Sequence, residues 1–305
     1  MPSLKTIRKR IVSVKSTQKI TRAMKMVAGA RLARAQARIT ALRPYAHKTG
    51  EVLKQVVATM PMAMPSGDGP VHPLLARRGE GRVLFLLITS DRGLCGAFNS
   101  NACRAAERAY REQISRSSVV EFATVGKKGR DFLLRRGVPV AQHFEGIFER
   151  LDAGSPQIIS DWVMARFLRE KYDAVFIVFN EFKNAISQII RVQPLLPVPP
   201  VQGSGTGEQG GLEGAGEGAS NLLFEPRQDV VLERLVPTYV EVTIQRALLD
   251  SNAAEHGARM SAMDSATRNA KTMIGKLTLQ YNRARQATIT KELMEIIGGA
   301  EAIKK

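Results

Sequence analysis

The chain has 305 residues, of which 44% are hydrophobic and 24% are charged, so it is long enough to bury a core and to form two structural units. Two cysteines are too few for a disulfide framework, and the longest apolar runs, at 83–88 and 174–179, are too short for a membrane span or a signal peptide. These features exclude a disulfide-stapled scaffold and a membrane-spanning protein.

The formal net charge of +17 is concentrated at the N-terminal end. Residues 1–50 hold 13 of the 45 basic residues and none of the 28 acidic ones, which leaves a net charge of only +4 on the other 255 residues. A positive field confined to one segment predicts an anionic partner there. The charge alone leaves this partner open as an acidic protein, a nucleic acid or an anionic lipid.

Residues 4–57 carry a heptad pattern, in which apolar or small residues recur at alternating steps of three and four. We expect Pro44 to kink this helix rather than to end it, because the pattern continues beyond the proline. The seam positions are Leu4, Ile7, Ile11, Val14, Thr21, Ala28, Leu32, Ala35, Ile39, Leu42, Ala46, Thr49, Leu53 and Val56, with Gln18 and Lys25 as polar members.

The middle of the chain alternates strands with helices, which predicts an α/β domain with a mostly parallel sheet over residues 82–200. A proline-rich linker at 61–81 precedes it, and eight glycines within 203–218 predict a flexible loop over 201–225. The predicted strands are 83–89, 119–125, 174–180 and 186–192, and the predicted helices are 99–116, 127–136 and 156–171.

A second heptad seam lies near the C-terminus, and its average step of 3.5 predicts left-handed supercoiling against a partner helix. The two seams have similar lengths at opposite ends of the chain, so we expect them to pair antiparallel. The predicted fold class is therefore α/β, with a long antiparallel two-helix coiled coil (helices 1–60 and 226–305) and an inserted Rossmann-like α/β domain. The second seam runs through Leu249, Ala253, His256, Met260, Met263, Thr267, Ala270, Ile274, Leu277, Tyr281, Ala284 and Thr288.

The sequence offers no convincing catalytic, cofactor-binding or metal-binding constellation. The first strand is not followed by a Gly-x-Gly-x-x-Gly turn, and the Gly-Lys-Lys-Gly segment at 126–129 lacks the flanking residues of a phosphate loop. Cys95 follows a strand, but the pattern places no base beside it, so burial is the favoured interpretation for Cys95 and Cys103. We therefore predict no catalytic residue, no cofactor and no metal ligand.

Two other classes of protein remain as alternatives. A coiled-coil nucleic-acid-binding protein fits the charge, but no aromatic residue precedes Tyr45, and the seam occupies the helix face that would enter a groove. Tight, sequence-selective binding to duplex DNA at physiological salt would favour that class. An α/β enzyme with helical arms is the third class, and the missing phosphate-loop glycines and acid–base pair disfavour it.

Three segments carry a more specific signal. The first is Ile-Arg-Lys-Arg-Ile at 7–11 with Thr-Gln-Lys-Ile-Thr-Arg-Ala-Met-Lys-Met-Val-Ala at 17–28, and the second is Thr-Ser-Asp-Arg-Gly-Leu-Cys-Gly at 89–96 with Phe98-Asn99. The third runs from Glu255 through Arg259-Met260 to Tyr-Asn-Arg-Ala-Arg-Gln-Ala at 281–287 and Ile-Thr-Lys-Glu-Leu at 289–293. In this order they resemble the gamma subunit of F-type ATP synthases of the bacterial type.

The resemblance implies a coupling role rather than catalysis. The coiled coil would be the central stalk, or rotor shaft, inside a ring of F1 alpha and beta subunits, and it would couple proton-driven rotation of the c-ring to ATP synthesis or hydrolysis. The α/β domain would hold the epsilon subunit and sit on the c-ring. The implied contacts to the beta subunits are made by Arg22, Met24, Lys25, Glu255, Arg259, Arg285, Gln286 and Thr290.

The resemblance also implies a location. A bacterial protein of this kind would be peripheral, on the cytoplasmic side of the cell inner membrane, and attached to it only through the complex. No nucleic acid is expected as a partner.

Overall fold

The computed structural model describes residues 3–58, 72–149, 151, 154–185, 187–199 and 228–303. The predicted glycine-rich loop at 201–225 and the part of the predicted linker from 61 to 71 lie outside these residues. The helices are α1 (Leu4–Ala58), α2 (Phe98–Ile114), α3 (Lys127–Leu134), α4 (Gly154–Leu168) and α5 (Gln228–Ile303), with a 3-10 turn at Pro73–Leu75. The strands are β1 (Arg82–Ile88), β2 (Val119–Val125), β3 (Val140–Phe144), β4 (Ala174–Phe182) and β5 (Gln188–Leu196).

The chain divides into two compact units. One consists of Met1–Ala30 with Arg259–Lys305, and the other of Arg31–Ala258. Helices α1 and α5 each contribute residues to both units. Helix α1 continues through Pro44, as the uninterrupted heptad pattern predicts.

The second unit contains a five-stranded sheet with the order β3-β2-β1-β4-β5. The three pairs β3–β2, β2–β1 and β1–β4 are parallel, whereas β5 runs antiparallel to β4. The prediction of a mostly parallel sheet is confirmed. Strand β1 lies at the centre, and Phe85 pairs in register with Phe122 on one side and Phe176 on the other.

Both faces of this sheet are covered, which explains why β1 reads as a continuous apolar run. Alternate residues Val83, Phe85 and Leu87 pack with α2 and α3 on one face. Leu84, Leu86 and Ile88 pack on the other face in a cluster that includes residues of α4 and the second-unit parts of α1 and α5. The sheet therefore holds the two long helices on one side through ordinary hydrophobic burial.

One strand was not predicted. Strand β3 has only five residues, and its sequence Val-Ala-Gln-His-Phe lacks both an apolar run and a clear alternation. It forms because β2 offers a free edge, and its pairing there is irregular between Phe122 and Ala123. The signal for β3 is therefore tertiary rather than local.

Both cysteines are buried, as predicted. Burial raises the pKa of the Cys103 thiol to about 11, despite the lowering effect of Arg136 and Arg135. A thiol with such a pKa stays protonated at neutral pH and is a poor nucleophile. Cys103 is therefore a packing residue.

Candidate functional site

The first unit is built by the two ends of the chain lying side by side. The Thr267 hydroxyl donates to the Thr21 hydroxyl at 2.8 Å, and Lys25 Nζ lies 2.5 Å from Asp264 Oδ1. One turn further along α1, a Cβ atom added at Gly29 would lie 3.5 Å from the Met260 sulfur. As residue numbers rise on α1 they fall on α5, so the helices are antiparallel. We call residues 4–30 of α1 with residues 259–303 of α5 the terminal pair.

The predicted seams account for the burial within the terminal pair. Ile7, Ala28, Met263 and Ala270 are all seam positions, and each exposes 7% or less of its surface. Several off-seam apolar residues are exposed to solvent, such as Val12 at 62%. The heptad prediction is confirmed here in both helices.

The C-terminal part of α5 extends beyond its partner. Continuing the register of Thr21 with Thr267 places Leu4, the first residue of α1, opposite residue 284. From Arg285 to Gly299 every residue of α5 is exposed. Thr288 was predicted as a seam position, and that prediction is wrong because no part of α1 lies opposite it. We call residues 285–299 the overhang.

Charge within the terminal pair is organised around Asp264. Its carboxylate contacts Lys25 and also lies 3.3 Å from an Arg268 nitrogen. The hydrogen bond from Lys25 lowers the pKa of Asp264 below its usual range. One cation of the basic helix is thereby neutralised, whereas Arg22 beside it stays exposed to solvent.

The predicted contact residues fall into separate places. Arg22 is exposed, and Met24 and Lys25 are half-buried along the part of α1 that faces residues 264–267. Arg285, Gln286 and Thr290 are exposed on the overhang. About twenty helical residues separate the two patches, or roughly 30 Å along the axis at ~1.5 Å per residue.

The remaining two predicted contact residues differ from these in exposure. Arg259 is half-buried at the start of the first unit's part of α5. Glu255 belongs to the second unit and exposes only 6% of its surface. It presents far less area to a partner than the residues of the overhang.

The 89–99 motif forms a hydrogen-bonded turn between β1 and α2. The Asn99 side chain accepts from the Ser90 amide at 3.0 Å and donates to the Cys95 sulfur at 3.2 Å. The Asp91 carboxylate accepts from the Lys127 amide at 3.0 Å, which ties this turn to the one after β2. Leu94 sits at its tip with a φ of 64° and an exposed side chain. The polar residues of the motif therefore build the turn itself.

The sequence did not reveal a buried ionic cluster in the second unit. Asp250 of α5 exposes 4% of its side chain and lies 3.7 Å from Arg246, which also approaches Glu181 of β4 at 3.6 Å. Burial raises the pKa of Asp250 to about 6, and Glu181 raises it further against the lowering effect of Arg246 and Arg43. The available signal was an Arg and an Asp at i, i+4 inside an otherwise apolar stretch of α5.

The cluster borders a groove of about 1270 Å³ in the second unit. Apolar side chains such as Phe179 and Leu249 line it, and the charged residues Arg43, Glu51 and Arg246 also contribute to its lining.

The two aspartates of α5 are expected to affect stability with opposite pH dependence. Asp250 has a folded pKa above its unfolded value of about 3.8, so the folded state binds more protons between about pH 4 and pH 6, and stability falls as pH rises through that window. Asp250→Asn should abolish this pH dependence and raise the free energy of unfolding above pH 6 by up to about 3 kcal/mol relative to the parent chain. Thermal unfolding of the full chain between pH 3.5 and pH 8 measures it.

Asp264→Asn is the matched control on the same helix. The folded pKa of Asp264 is depressed, so its contribution is present above the unfolded pKa and is lost as pH falls through the folded pKa. This variant should be less stable than the parent chain at neutral pH and equal to it in acid. If both variants changed the stability at neutral pH in the same direction, the opposite pKa shifts assigned to Asp250 and Asp264 would be contradicted.

Comparison with known proteins places the chain. A family model described as ATP synthase matches residues 3–303. The ATP synthase gamma chain of Sorangium cellulosum is 49% identical over 324 residues and covers 100% of both chains. That of Geobacter metallireducens is 47% identical over 304 residues with the same coverage. The chain belongs to the ATP synthase gamma chain family.

Solved structures agree with this family in fold. A central stalk and c-ring structure of the Tetrahymena thermophila mitochondrial ATP synthase matches with a TM-score of 0.56 at 25% identity, over 81% of this chain and 99% of that chain. A rotor structure of the Euglena gracilis enzyme matches with a TM-score of 0.63 at 19% identity, over 94% of this chain and 98% of that chain. The chain thus has the central-stalk role of a gamma subunit.

Two further observations concern the described residues of this gamma-family chain. None of their helices is long and apolar enough to cross a membrane. Within the same ranges, no three His, Cys, Asp or Glu side chains are grouped so that they could hold a metal ion.

Proposed function

We propose that the chain is a non-catalytic rotor shaft, which couples proton-driven rotation of a c-ring to ATP synthesis or hydrolysis at beta subunits of the F1 sector. The antiparallel pairing of its two ends is the observation that supports this proposal most directly. Two supercoiled helices resist bending and twisting better than one, which suits an element that must transmit rotation.

The proposed mechanism uses the inequality of the two helices. A pair of different helices has no threefold symmetry, so at any angle it presents a different face to each of three similar beta subunits. Exposed ion pairs contribute only about 0–1 kcal/mol each. A basic helix moving past acidic partners would therefore meet many weak attractions and no single deep minimum, with steric displacement supplying most of the force.

The proposed contacts follow the exposure of the residues. Arg22, with Met24 and Lys25, would face acidic tips of the beta subunits. Arg285, Gln286 and Thr290 on the overhang would meet beta-subunit loops, with Arg259 contributing from its half-buried position. Glu255 belongs to the same proposed set, and its contact would involve only the 6% of its surface that is exposed.

The proposed partners and location follow from the same assignment. The alpha and beta subunits would surround the terminal pair, and the α/β domain would bind epsilon and the c-ring. The chain would be peripheral on the cytoplasmic side of a bacterial inner membrane and held there through the complex.

Replacing Arg285 and Gln286 together by Ala tests the proposal in membrane-bound complex. Loss of these exposed contacts to beta loops should lower ATP-driven proton pumping by about two- to fivefold, because each exposed contact contributes only about 0–1 kcal/mol. Pumping is measured with a pH-sensitive dye, after the gamma content of the membranes has been matched to that of the parent strain.

The matched control is the pair Asn101→Ala and Arg104→Ala, which also removes an exposed arginine and an exposed amide, from helix α2. It should leave pumping unchanged. Parental pumping in the Arg285/Gln286 variant would contradict the proposed contacts.

A further inference from the structure

Three turns of α5 are fastened to the β4–β5 hairpin by directional contacts. Arg246 approaches Glu181, which also accepts a hydrogen bond from Arg191 of β5 at 2.8 Å. Further along the helix, the Ser251 hydroxyl accepts from the Asn180 amide at 3.3 Å. All of these residues belong to the second unit.

The Ser251 hydroxyl takes the place of a strand partner at the edge of β4. Strand β1 pairs with β4 only as far as Val178, so among the described residues no strand lies on the β1 side of β4 beyond that point. The backbone N–H of Asn180 lies in this stretch, and burying it without a hydrogen-bond acceptor would be costly. Ser251, which is fully buried, supplies that acceptor from the helix.

Two more contacts fasten the tip of the hairpin. The Gln188 side chain donates to the Ala254 carbonyl oxygen of α5 at 3.0 Å. One turn later, a side-chain carbon at Gly257 would come within 3.1 Å of the Ala185 carbonyl oxygen, so the hairpin backbone rests directly on the helix. We call residues 180–185 and 187–191 with residues 246–257 the hairpin clamp.

Hydrophobic packing and the hairpin clamp constrain α5 differently. Apolar contacts such as Val240 and Ile244 against the core are non-directional, and they permit small rotations of a helix about its axis. Hydrogen bonds to fixed backbone groups have narrow limits of distance and angle. The clamp therefore adds directional restraints on the rotational position of α5 to the hydrophobic packing that holds the helix on the sheet.

We propose that the hairpin clamp is the element that transmits torque between the sheet and helix α5, with Gln188 and Ser251 as positioning residues. This proposal rests on the rotor function proposed above and adds to it the place where torque passes from the α/β domain into a shaft helix. Loss of clamp contacts leaves the helix packed but lets it twist under load.

The test measures torsional stiffness in assembled complex. A bead is attached to the α/β domain of the gamma chain while the alpha–beta ring is held on a surface, and the angular variance is recorded at a fixed rotary position. Gln188→Met keeps the length of the side chain and removes the donor to Ala254. Gln193→Met, on the same strand and lining the groove, is the matched control.

We expect the angular variance to rise by about twofold when Gln188→Met is combined with Ser251→Ala, because two directional contacts are lost. The control should match the parent complex in angular variance. Gln188→Met alone, at a partly exposed position, keeps the test decisive if the double variant does not assemble.

Unchanged variance in an assembled clamp variant would overturn the proposal. This outcome differs from a failure of the rotor function itself. In that case the bead on the parent complex would not rotate on addition of ATP, whatever the clamp residues are.

Discussion

Replacing Gly126 by alanine should prevent stable folding of the second unit. Gly126 follows β2 with a φ of 88°, a conformation that side-chain-bearing residues rarely adopt. An added carbon would overlap the Thr89 carbonyl oxygen and lie 2.7 Å from its carbonyl carbon. Both neighbours are backbone atoms at the end of the central strand, so they have little freedom to move.

The expected loss is about 4 kcal/mol or more, which is comparable to the whole stability of many domains. Urea unfolding of the full chain, followed by circular dichroism, measures it. A variant that unfolds at the parent midpoint would show that the two turns after β1 and β2 are not in contact as described.

Gly137→Ala separates the steric effect from the backbone effect. Gly137 also has a positive φ, of 68°, but an added carbon there meets nothing within 4 Å. This variant should lose only the free energy needed to hold alanine in a left-handed conformation, which is about 1–2 kcal/mol. The difference between the two variants is therefore the contribution of the close approach between Gly126 and Thr89.

Phe122→Ala should cost about 3–5 kcal/mol. Phe122 is fully buried on β2, its ring stacks on Phe85 at 5.3 Å, and Tyr110 of α2 lies 6.0 Å away. Removing the ring leaves a cavity between the sheet and α2, and stacked aromatic pairs add to the lost burial. The urea midpoint should fall substantially while the circular dichroism spectrum of the folded chain is retained.

Val119→Ala is the control on the same strand. Val119 exposes 41% of its surface, so its truncation should change stability by less than about 1 kcal/mol. Equal effects of the two substitutions would contradict the packing of β2 against α2.

The long-period features of this fold could be predicted from sequence because they repeat. A heptad seam is specified at many positions, so exceptions such as Gln18 and Lys25 do not obscure it, and the half-buried Lys25 is explained once Asp264 is found opposite. The end of the seam could not be predicted. Where pairing stops depends on where the other helix begins, which is why Thr288 was assigned to the wrong surface.

Contacts between distant residues were beyond local patterns. Glu255 lies within a motif that suggested a partner surface, yet it is buried in the second unit. The β4–β5 hairpin rests on α5 at the neighbouring residues Ala254 and Gly257, an approach permitted by Gly257 and by the unpaired edge of β4. Neither condition has a sequence signature without the sheet order.

The two paired helices lie far apart in sequence, so the second is synthesised well after the first. Lys25 meets Asp264 across 239 positions of the chain. At about 5–20 residues per second, a ribosome needs roughly 12–48 seconds to deliver the second helix after the first has emerged. During that interval the apolar seam of the N-terminal helix has no partner helix. Its positive charge is not paired with Asp264 and lies near negatively charged ribosomal RNA. The N-terminal helix therefore cannot form its native pairing until translation is nearly complete.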